Sequence, residues 1–227
     1  LVSKTSVVAY ITGHGERSID DENDALYFRQ MLSDTYTLEE VNLLEKDIPV
    51  ASETVIINGP KSAFDEKELY KIDQFIMRGG NVMFFIDSYD EQISQYQQPT
   101  YAPVRTGLEK LLSKYGVEVG SEYVLDEKCF VRMDQQYGKL NFYHVPRVQK
   151  NCLDQKNPIG RNLVDVFFLE SFAVDSSNAK ENKNVDVTVL AKSSPRSWTV
   201  PVTEGFMLNP FAFAVPSDEA ALASRDL

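Results

Sequence analysis

The most informative stretch of the chain is residues 6–16, SVVAYITGHGE, because its character changes abruptly at residue 13. Residues 6–12 are mostly apolar or β-branched, which is typical of a buried strand. The next four residues, Gly13-His14-Gly15-Glu16, contain no apolar side chain and predict a loop. We therefore expect a buried strand whose carboxyl end carries this polar segment, called the GHGE loop below.

Downstream of the GHGE loop, the sequence predicts helices that alternate with strands. Apolar residues spaced three and four apart predict helices near residues 25–32 and 108–115. Apolar and β-branched runs predict strands at residues 36–43, 53–58, 81–86 and 117–125. The runs near residues 53–58 and 81–86 lack alternation, which indicates strands covered on both faces of a parallel sheet.

The helix that follows residue 64 has the clearest boundaries. Asp65 is suited to the N-cap position, and Glu68 three residues later completes a capping-box pattern. Gly79-Gly80 lies at the other end, where a left-handed C-terminal cap favours glycine. We therefore predict one amphipathic helix between Asp65 and Gly79.

The alternation is lost from about residue 126. The remaining predictions are strands at 139–145, 163–169 and 185–190, a long loop at 89–103, a polar loop at 175–184, and a short helix or irregular end at 217–226. We therefore expect an α/β fold with a three-layer, doubly wound, mostly parallel sheet in residues 1–125. Residues 126–227 are expected to form a strand-rich extension that packs on the same sheet, within one continuous domain.

Composition limits the classes of function. The 227-residue chain is 43% apolar and 25% charged, which fits a globular protein with a core of its own. Its net charge of −11 argues against binding to nucleic acid or anionic membrane surfaces, although a local basic patch is compatible with that total. No apolar run approaches the roughly 20 residues of a membrane-spanning helix. Because the chain opens at Leu1 rather than Met, we expect it to be an excerpt of a longer protein.

Polar or glycine-bearing residues follow three of the predicted strands. They are the GHGE loop, Asn58-Gly59-Pro60 and Asp87-Ser88. Ligands of an open parallel sheet bind beyond the carboxyl ends of its strands, so we expect these segments to converge. The candidate ligand-binding residues are Gly13, His14, Gly15, Glu16, Asn58, Gly59, Asp87 and Ser88.

Each of these segments has two interpretations. His14, oriented by Glu16, could act as an acid or base near neutral pH, or it could be a hydrogen-bonded residue of a tight turn. Asn58-Gly59-Pro60 could line a cleft or simply end a strand. Asp87 could face the same cleft or cap the following segment.

Other chemical signatures are absent from the sequence. No phosphate-binding glycine loop and no nucleophile elbow occurs, and the two histidines and two cysteines lack the pairing typical of a zinc site. We therefore predict no catalytic residue, no metal site and no cofactor. Cys129 and Cys152 could form a disulfide or remain two free thiols.

The sequence resembles the GldG-like auxiliary proteins of ABC transporters, a gliding-motility-associated family. The resemblance lies in the order and spacing of a series of short motifs. The resemblance begins with VAYITGHGE at residues 8–16 and is densest in residues 7–126. The further motifs that carry it are VNL (41–43), DIP (47–49), VIINGP (55–60), FDEKEL (64–69), IDQF (72–75), GGNV (79–82), GL (107–108), LL (111–112), YGV (115–117), VLD (124–126) and VLAKSSPRSW (189–198).

The resemblance implies a periplasmic or otherwise extracytoplasmic domain of an inner-membrane-anchored bacterial protein, with membrane helices outside this excerpt. Its implied partners are an ABC permease and ATPase, and some members of the family belong to gliding machinery. The implied fold is flavodoxin-like or glutamine-amidotransferase-like. A related domain occurs in an intraflagellar-transport protein for which sugar binding has been proposed. The family has no catalytic residues to carry over, and it gives the GHGE loop no settled role.

Three functional hypotheses follow. The leading hypothesis is a non-catalytic auxiliary domain that binds a protein partner or a ligand such as a sugar. The second is a hydrolase-like enzyme acting on a carbohydrate or amide, with His14, Glu16 and Asp87 in the strand-end cleft. The third is a purely structural assembly module that uses the aromatic loop at residues 89–103.

Overall fold

The chain forms two compact units. The computed structural model describes residues 6–93, 99–181 and 184–227. The first unit contains Leu1–Asp87 and Val104–Leu111, and the second contains Ser88–Pro103 and Leu112–Leu227. The chain passes between these units three times, and the expected boundary near residue 125 stays a prediction.

The first unit is built on a four-stranded parallel sheet. Its strands are β1 (Val7–Thr12), β2 (Thr37–Asn42), β3 (Ser52–Asn58) and β4 (Asn81–Phe85), in the order β2-β1-β3-β4. β1 pairs with both β2 and β3, and its four middle residues are buried. Because all the strands run parallel, their carboxyl ends meet at one edge. The expected α/β fold with a parallel sheet is confirmed in this form.

Helix α1 (Leu26–Ser33) covers one face of this sheet. Its side chains Phe28 and Leu32 pack against a buried cluster that consists of Val8, Tyr10, Ile19, Ala25 and Ile56. This packing explains why an eight-residue helix with no side-chain cap is formed here. Tertiary contacts, rather than intrinsic propensity, stabilise most short helices.

Helix α2 (Glu66–Met77) begins at the capping box that the sequence predicts. The carboxylate of Asp65 accepts a hydrogen bond from the backbone N–H of Glu68 at 2.8 Å, and the side chain of Glu68 accepts one from the N–H of Asp65 at 2.8 Å. At the other end, Gly79 has a φ of +88°, as the predicted left-handed termination requires. A third helix, α3 (Leu108–Lys114), spans the boundary between the units.

The second unit is antiparallel. In chain order its strands are β5 (Tyr89–Gln92), β6 (Thr100–Pro103), β7 (Glu118–Asp126), β8 (Cys129–Asp134), β9 (Gly138–Gln149), β10 (Asp165–Phe167), β11 (Phe172–Asp175) and β12 (Ser197–Pro201). They form the pair β5-β6 and two three-stranded sheets, β11-β7-β12 and β10-β9-β8. Short helical segments are α4 (Ser177–Glu181) and single 3₁₀ turns at Lys150–Cys152 and Glu219–Ala221. The main core of this unit is aromatic, with Tyr123, Phe172, Trp198 and Phe206 buried together.

Several expectations about this half of the chain are wrong. The segment 89–103, expected to be a loop, forms the β5-β6 hairpin, whose connection at residues 94–98 lies outside the described residues. The strand expected at 117–125 is β7, but it belongs to an antiparallel sheet rather than to the parallel one. The strands that follow β7 pair with β7 or with one another, and the packing of residues 126–227 on the sheet of the first unit stays a prediction.

Two further strand predictions differ from the structure. A side-chain pattern shows neither whether a segment finds a pairing partner nor whether both faces of a strand are covered. Residues 185–190 alternate valine or leucine with polar residues, yet they are not a strand, and only the adjacent Ala191 and Lys192 form isolated bridges. β4 was expected to be covered on both faces, but it is the edge strand, and Met83 and Phe85 are partly exposed. Within the described ranges, no helix combines the length and apolarity needed to cross a membrane.

Candidate functional site

The candidate site lies where two neighbouring parallel strands end. The GHGE loop follows β1, and the segment that leads into α2 follows β3. β1 connects through α1 to β2 on one side, whereas β3 connects through α2 to β4 on the other side. The connections therefore diverge between β1 and β3, and this is the position at which open α/β sheets have their crevice.

His14 is held from several directions. Its Nε2 lies 3.1 Å from Oε2 of Glu68, within hydrogen-bonding distance. The imidazole stacks on the ring of Phe64 with 3.8 Å between centroids. The His14 carbonyl also accepts hydrogen bonds from the backbone N–H groups of Lys61 and Ser62, at 2.8 and 3.0 Å. The side chain is consequently only 4% exposed.

Glu16 approaches the same imidazole from its other nitrogen. Oε2 of Glu16 accepts the backbone N–H of His14 at 2.7 Å, and Oε1 lies 3.5 Å from Nδ1 of the ring. The side chains of Glu16 and Glu68 are each 2% exposed. His14, Glu16 and Glu68 thus form one buried group of ionisable side chains, called the His–Glu cluster below.

The His–Glu cluster retains unused hydrogen-bonding capacity. Nδ1 of His14, Oε1 of Glu16 and Oε1 of Glu68 are buried and have no hydrogen-bond partner among the described residues. An imidazole between two carboxylates is chemically able to exchange a proton with either of them. In this arrangement, however, the carboxylates that face the imidazole are those of Glu16 and Glu68, which belong to the protein itself.

Glu68 is the functional-site residue that sequence reasoning missed. The sequence identifies it as the third residue of a helical capping box, and the structure confirms that role. Its second role, as the partner of His14, depends on contact across 54 residues of sequence. Capping alone requires only a surface carboxylate. The burial of this glutamate at the start of the helix is therefore the signal of its second role.

The other predicted residues of the first unit lie around this cluster. Gly13 and Gly15 have φ values of +114° and +77°, which other residues rarely adopt, and both are exposed. The carbonyl of Asn58 accepts the backbone N–H of Arg17 at 2.9 Å, which fixes the end of the GHGE loop beside β3. The N–H of Gly59 donates to the carbonyl of Phe85 at 2.9 Å.

Asp87 and Ser88 mark the boundary between the units. Asp87 ends the first unit just beyond β4. Ser88 begins the second unit, and its hydroxyl donates to the carbonyl of Gly120 at 2.7 Å. The hydroxyl of Ser88 is thus engaged within the second unit. The structure therefore brings His14 and Glu16 together with Asn58 and Gly59 nearby, and the role of all eight residues in ligand binding stays a prediction.

Tyr10 anchors the far end of the GHGE loop from within β1. Its hydroxyl donates to the carbonyl of Arg17 at 2.7 Å. Burial raises the pKa of Tyr10 to about 12, so the hydroxyl keeps its proton and this hydrogen bond at any physiological pH. The loop is thereby fixed at His14, at Glu16 and at Arg17.

The second unit contains a separate buried carboxylate that the sequence analysis did not single out. Asp126, at the end of β7, accepts hydrogen bonds from the hydroxyl and the backbone N–H of Ser194, both at 2.6 Å. It also accepts the N–H of Lys128 at 2.8 Å. Nearby, the hydroxyls of Ser193 and Ser197 are 2.7 Å apart. No histidine takes part in these contacts, and the arrangement fastens residues 193–197 to β7.

The two thiols do not form a nucleophilic site. Cys129 and Cys152 are both free, which decides between the two alternatives that the sequence leaves open. Burial raises the pKa of Cys129 to about 11 and also raises that of Cys152, so neither is an activated thiolate near neutral pH. Among the described residues, no group of three His, Cys, Asp or Glu side chains is arranged to hold a metal ion.

Comparisons with known proteins identify the family. Among solved structures, the chain is similar to one described as "mmIFT52 N-terminal domain", with a TM-score of 0.51 and 12% identity, covering 75% of this chain and 68% of that one. At this identity the likeness shows the fold alone. No curated protein matches the chain. The family model described as "ABC-type uncharacterized transport system" matches residues 5–223, which confirms the family expected from the motif series. The chain therefore belongs to this GldG-like family of auxiliary components of ABC-type transport systems.

Proposed function

We propose that the chain is a non-catalytic domain, located outside the cytoplasm, that serves an ABC permease and ATPase as an auxiliary binding component. Membership of the auxiliary family supports the association with transporter subunits. The observation that carries the non-catalytic role is the closed arrangement of the His–Glu cluster. Its three side chains are bonded within the protein and are almost entirely buried.

A catalytic acid or base has to reach the proton that it transfers, at about 2.6–3.2 Å or through one water. Nε2 of His14 already faces Glu68, and Phe64 covers the imidazole ring. A substrate would have to displace the GHGE loop before it could touch any member of the cluster. The cluster therefore serves to fix the GHGE loop against the start of α2.

The exposed part of this edge includes the backbone of two glycines. Gly13 and Gly15 are exposed on either side of the buried His14. A partner surface, or a ligand such as a sugar, would contact this backbone beside Asn58 and Gly59, since glycine permits close approach. The strand order β2-β1-β3-β4 supports a three-layer, flavodoxin-like arrangement with this edge as the binding edge.

Lys61 offers a test of this binding edge. It is exposed, and its side-chain carbons lie beside Gly15, 3.3 Å from where a Cβ on that glycine would stand. We expect Lys61→Glu to reduce at least about tenfold the amount of ABC permease and ATPase that co-purifies with the tagged protein from membranes. The new negative charge repels an acidic partner surface, and it is buried without a counter-charge where a partner packs closely. Mass spectrometry of the purified material identifies the subunits.

The matched control is Lys67→Glu, which makes the same charge change at an exposed position in the first turn of α2, on the helix face that carries Tyr70 and Lys71. Thermal unfolding of both variants establishes that each is folded. Unchanged co-purification with Lys61→Glu, or an equal loss with Lys67→Glu, would remove the support for this edge.

A second candidate function is hydrolysis of a carbohydrate or amide. The specific observation in its favour is the imidazole flanked by two carboxylates with three unpartnered buried polar atoms. This function requires the GHGE loop to open. Turnover of aryl glycosides or amides that is present in the wild type and lost in His14→Gln would establish an enzyme. Equal rates for the two proteins would exclude His14 as its acid or base.

A further inference from the structure

The second unit contains a basic segment in an otherwise acidic chain. Residues 128–164 carry seven Lys and Arg residues and two Asp residues, a net charge of +5, whereas the whole chain carries −11. Asp134 is the only acidic residue between Lys128 and Leu153. Its carboxylate accepts the backbone N–H groups of Gln136 and Tyr137, at 2.8 and 3.0 Å, in the turn of the β8-β9 hairpin, and it lies 4.0 Å from Nη2 of Arg132 in an exposed ion pair.

The outer half of this hairpin carries large exposed side chains. Met133 is 75% exposed and Tyr137 is 58% exposed. Met133 lies opposite Lys139 in the register of the hairpin, and Arg132 lies opposite Leu140. Phe211, also largely exposed, meets the ring of Tyr137 edge-on with 5.2 Å between centroids. Met133, Tyr137 and Phe211, with Arg132 and Lys139, are called the hairpin tip below.

β8 is exposed along most of its length. From Phe130 to Met133 every residue is exposed, although successive side chains of a strand point to opposite faces. The partner strand is covered in part, since Leu140 of β9, opposite Arg132, is only 6% exposed. Large exposed apolar side chains beside Arg132 and Lys139 fit a deformable apolar medium with an anionic surface.

We propose that the hairpin tip binds the surface of a phospholipid bilayer that contains anionic lipids. Met133 and Phe211 enter the boundary between headgroups and acyl chains, and Tyr137 places its ring at headgroup level, where tyrosine is enriched in membrane proteins. Arg132 and Lys139 contact the lipid phosphates, because cations beside an apolar surface are attracted to anionic headgroups. This proposal does not depend on the role proposed for the GHGE loop.

The test is sedimentation of the 227-residue chain with lipid vesicles at low salt. One set of vesicles contains phosphatidylcholine only, and the other has roughly a third of its lipid as phosphatidylglycerol. We expect the chain to sediment with the phosphatidylglycerol vesicles and to be released by added salt. The double variant Met133→Ser with Tyr137→Ser should lower the affinity at least about tenfold. Arg132→Gln with Lys139→Gln should lower it and reduce its dependence on salt.

The chain supplies a matched control on α1. Tyr27 and Met31 are of the same residue types and are similarly exposed, at 71% and 65%. Their surroundings are acidic, with Asp20, Glu22 and Asp34 close in sequence. Tyr27→Ser with Met31→Ser should therefore leave vesicle binding unchanged. Circular dichroism shows whether each variant is folded.

Three outcomes would overturn the proposal. They are no binding of the folded wild-type chain to either set of vesicles, equal loss of binding in the hairpin and α1 variants, and binding that is insensitive to all of these substitutions. If the hairpin tip docks an acidic protein instead of lipid, the first of these outcomes is the one that will be observed.

Discussion

Glu68 uses a single carboxylate oxygen for two purposes. Its Oε2 accepts the backbone N–H of Asp65 and also faces Nε2 of His14. The first contact starts a helix, and the second fixes the GHGE loop to that helix. Removal of one partner of a buried polar contact leaves the other without its hydrogen bond, which costs free energy. Glu68 therefore links the GHGE loop to the start of α2 through a single side chain.

We expect Glu68→Ala to lower the free energy of unfolding by about 3 kcal/mol or more, because it removes both the capping box and the partner of a buried imidazole. Glu66→Ala, at the exposed first position of α2, is the control and should stay within about 0.5 kcal/mol of the wild type. Urea unfolding followed by circular dichroism measures both values. Similar small effects for the two variants would show that the His14–Glu68 contact does not hold the loop.

His144 predicts a pH dependence of stability in the second unit. Burial lowers the pKa of this histidine below its ordinary value of 6.5, and the charge of Glu91 offsets this only in part. The unfolded chain therefore binds this proton at a higher pH than the folded chain does. As the pH falls below about 6.5, the free energy of unfolding decreases until the folded-state pKa is passed.

The variant His144→Gln isolates this contribution. The decrease in free energy of unfolding between about pH 7 and about pH 5 should be smaller in the variant than in the wild type. Urea unfolding at several pH values provides the comparison, and His14, which is common to both proteins, does not enter the difference. A decrease of the same size in both proteins would contradict the lowered pKa.

Among the secondary-structure elements, those with local signals were predicted well. The start and end of α2 follow from Asp65, Glu68 and Gly79, which lie within one short stretch of sequence. β1 and β3 follow from uninterrupted apolar and β-branched runs. The contact between Glu68 and His14 was not predicted, since it depends on β1 and β3 being neighbours, and that is a property of the sheet rather than of either segment.

Three parts of the second unit were mispredicted, each for its own physical reason. β5 and β6 have four residues each, too few for a recognisable alternation, and they pair across a connection that the sequence makes polar. Residues 185–190 have the alternation of a strand but find no neighbouring strand. β8 has exposed residues on both faces, so burial leaves no periodic mark on its sequence.

We expect the hydrogen bonds of Asp126 to be the main polar contacts that hold residues 193–197 to the β11-β7-β12 sheet. Asp126→Ala should lower the free energy of unfolding by about 3 kcal/mol, because it leaves the N–H and hydroxyl of Ser194 and the N–H of Lys128 without their acceptor. Glu122→Ala, on an exposed position of the same strand, serves as the control. If the two variants unfold at the same urea concentration, Asp126 does not have this role.

At the scale of the whole molecule, the total charge conceals an asymmetry. A net charge of −11 argues against binding to an anionic membrane, and this inference holds for the average surface. It does not hold for residues 128–164, where basic residues predominate. Binding depends on the part of the surface that contacts the partner. The positions of the charges on β8 and β9 are therefore informative where the overall composition is not.

The family assignment and the closed His–Glu cluster lead to one account of the molecule. The chain belongs to an auxiliary family of ABC transport systems, and its most site-like residues are buried against one another. The proposed role is therefore contact with transporter subunits through the exposed GHGE edge, rather than chemistry on a small substrate.

Photo-cross-linking in intact cells tests this claim most directly. A photoreactive residue is placed at position 61, beside the GHGE loop, or at the exposed control position 67 on α2. We predict that position 61 cross-links to an ABC permease subunit and that position 67 does not, with the product identified by mass spectrometry. Cross-links from position 61 to cytoplasmic proteins alone, or the same products from both positions, would contradict the account.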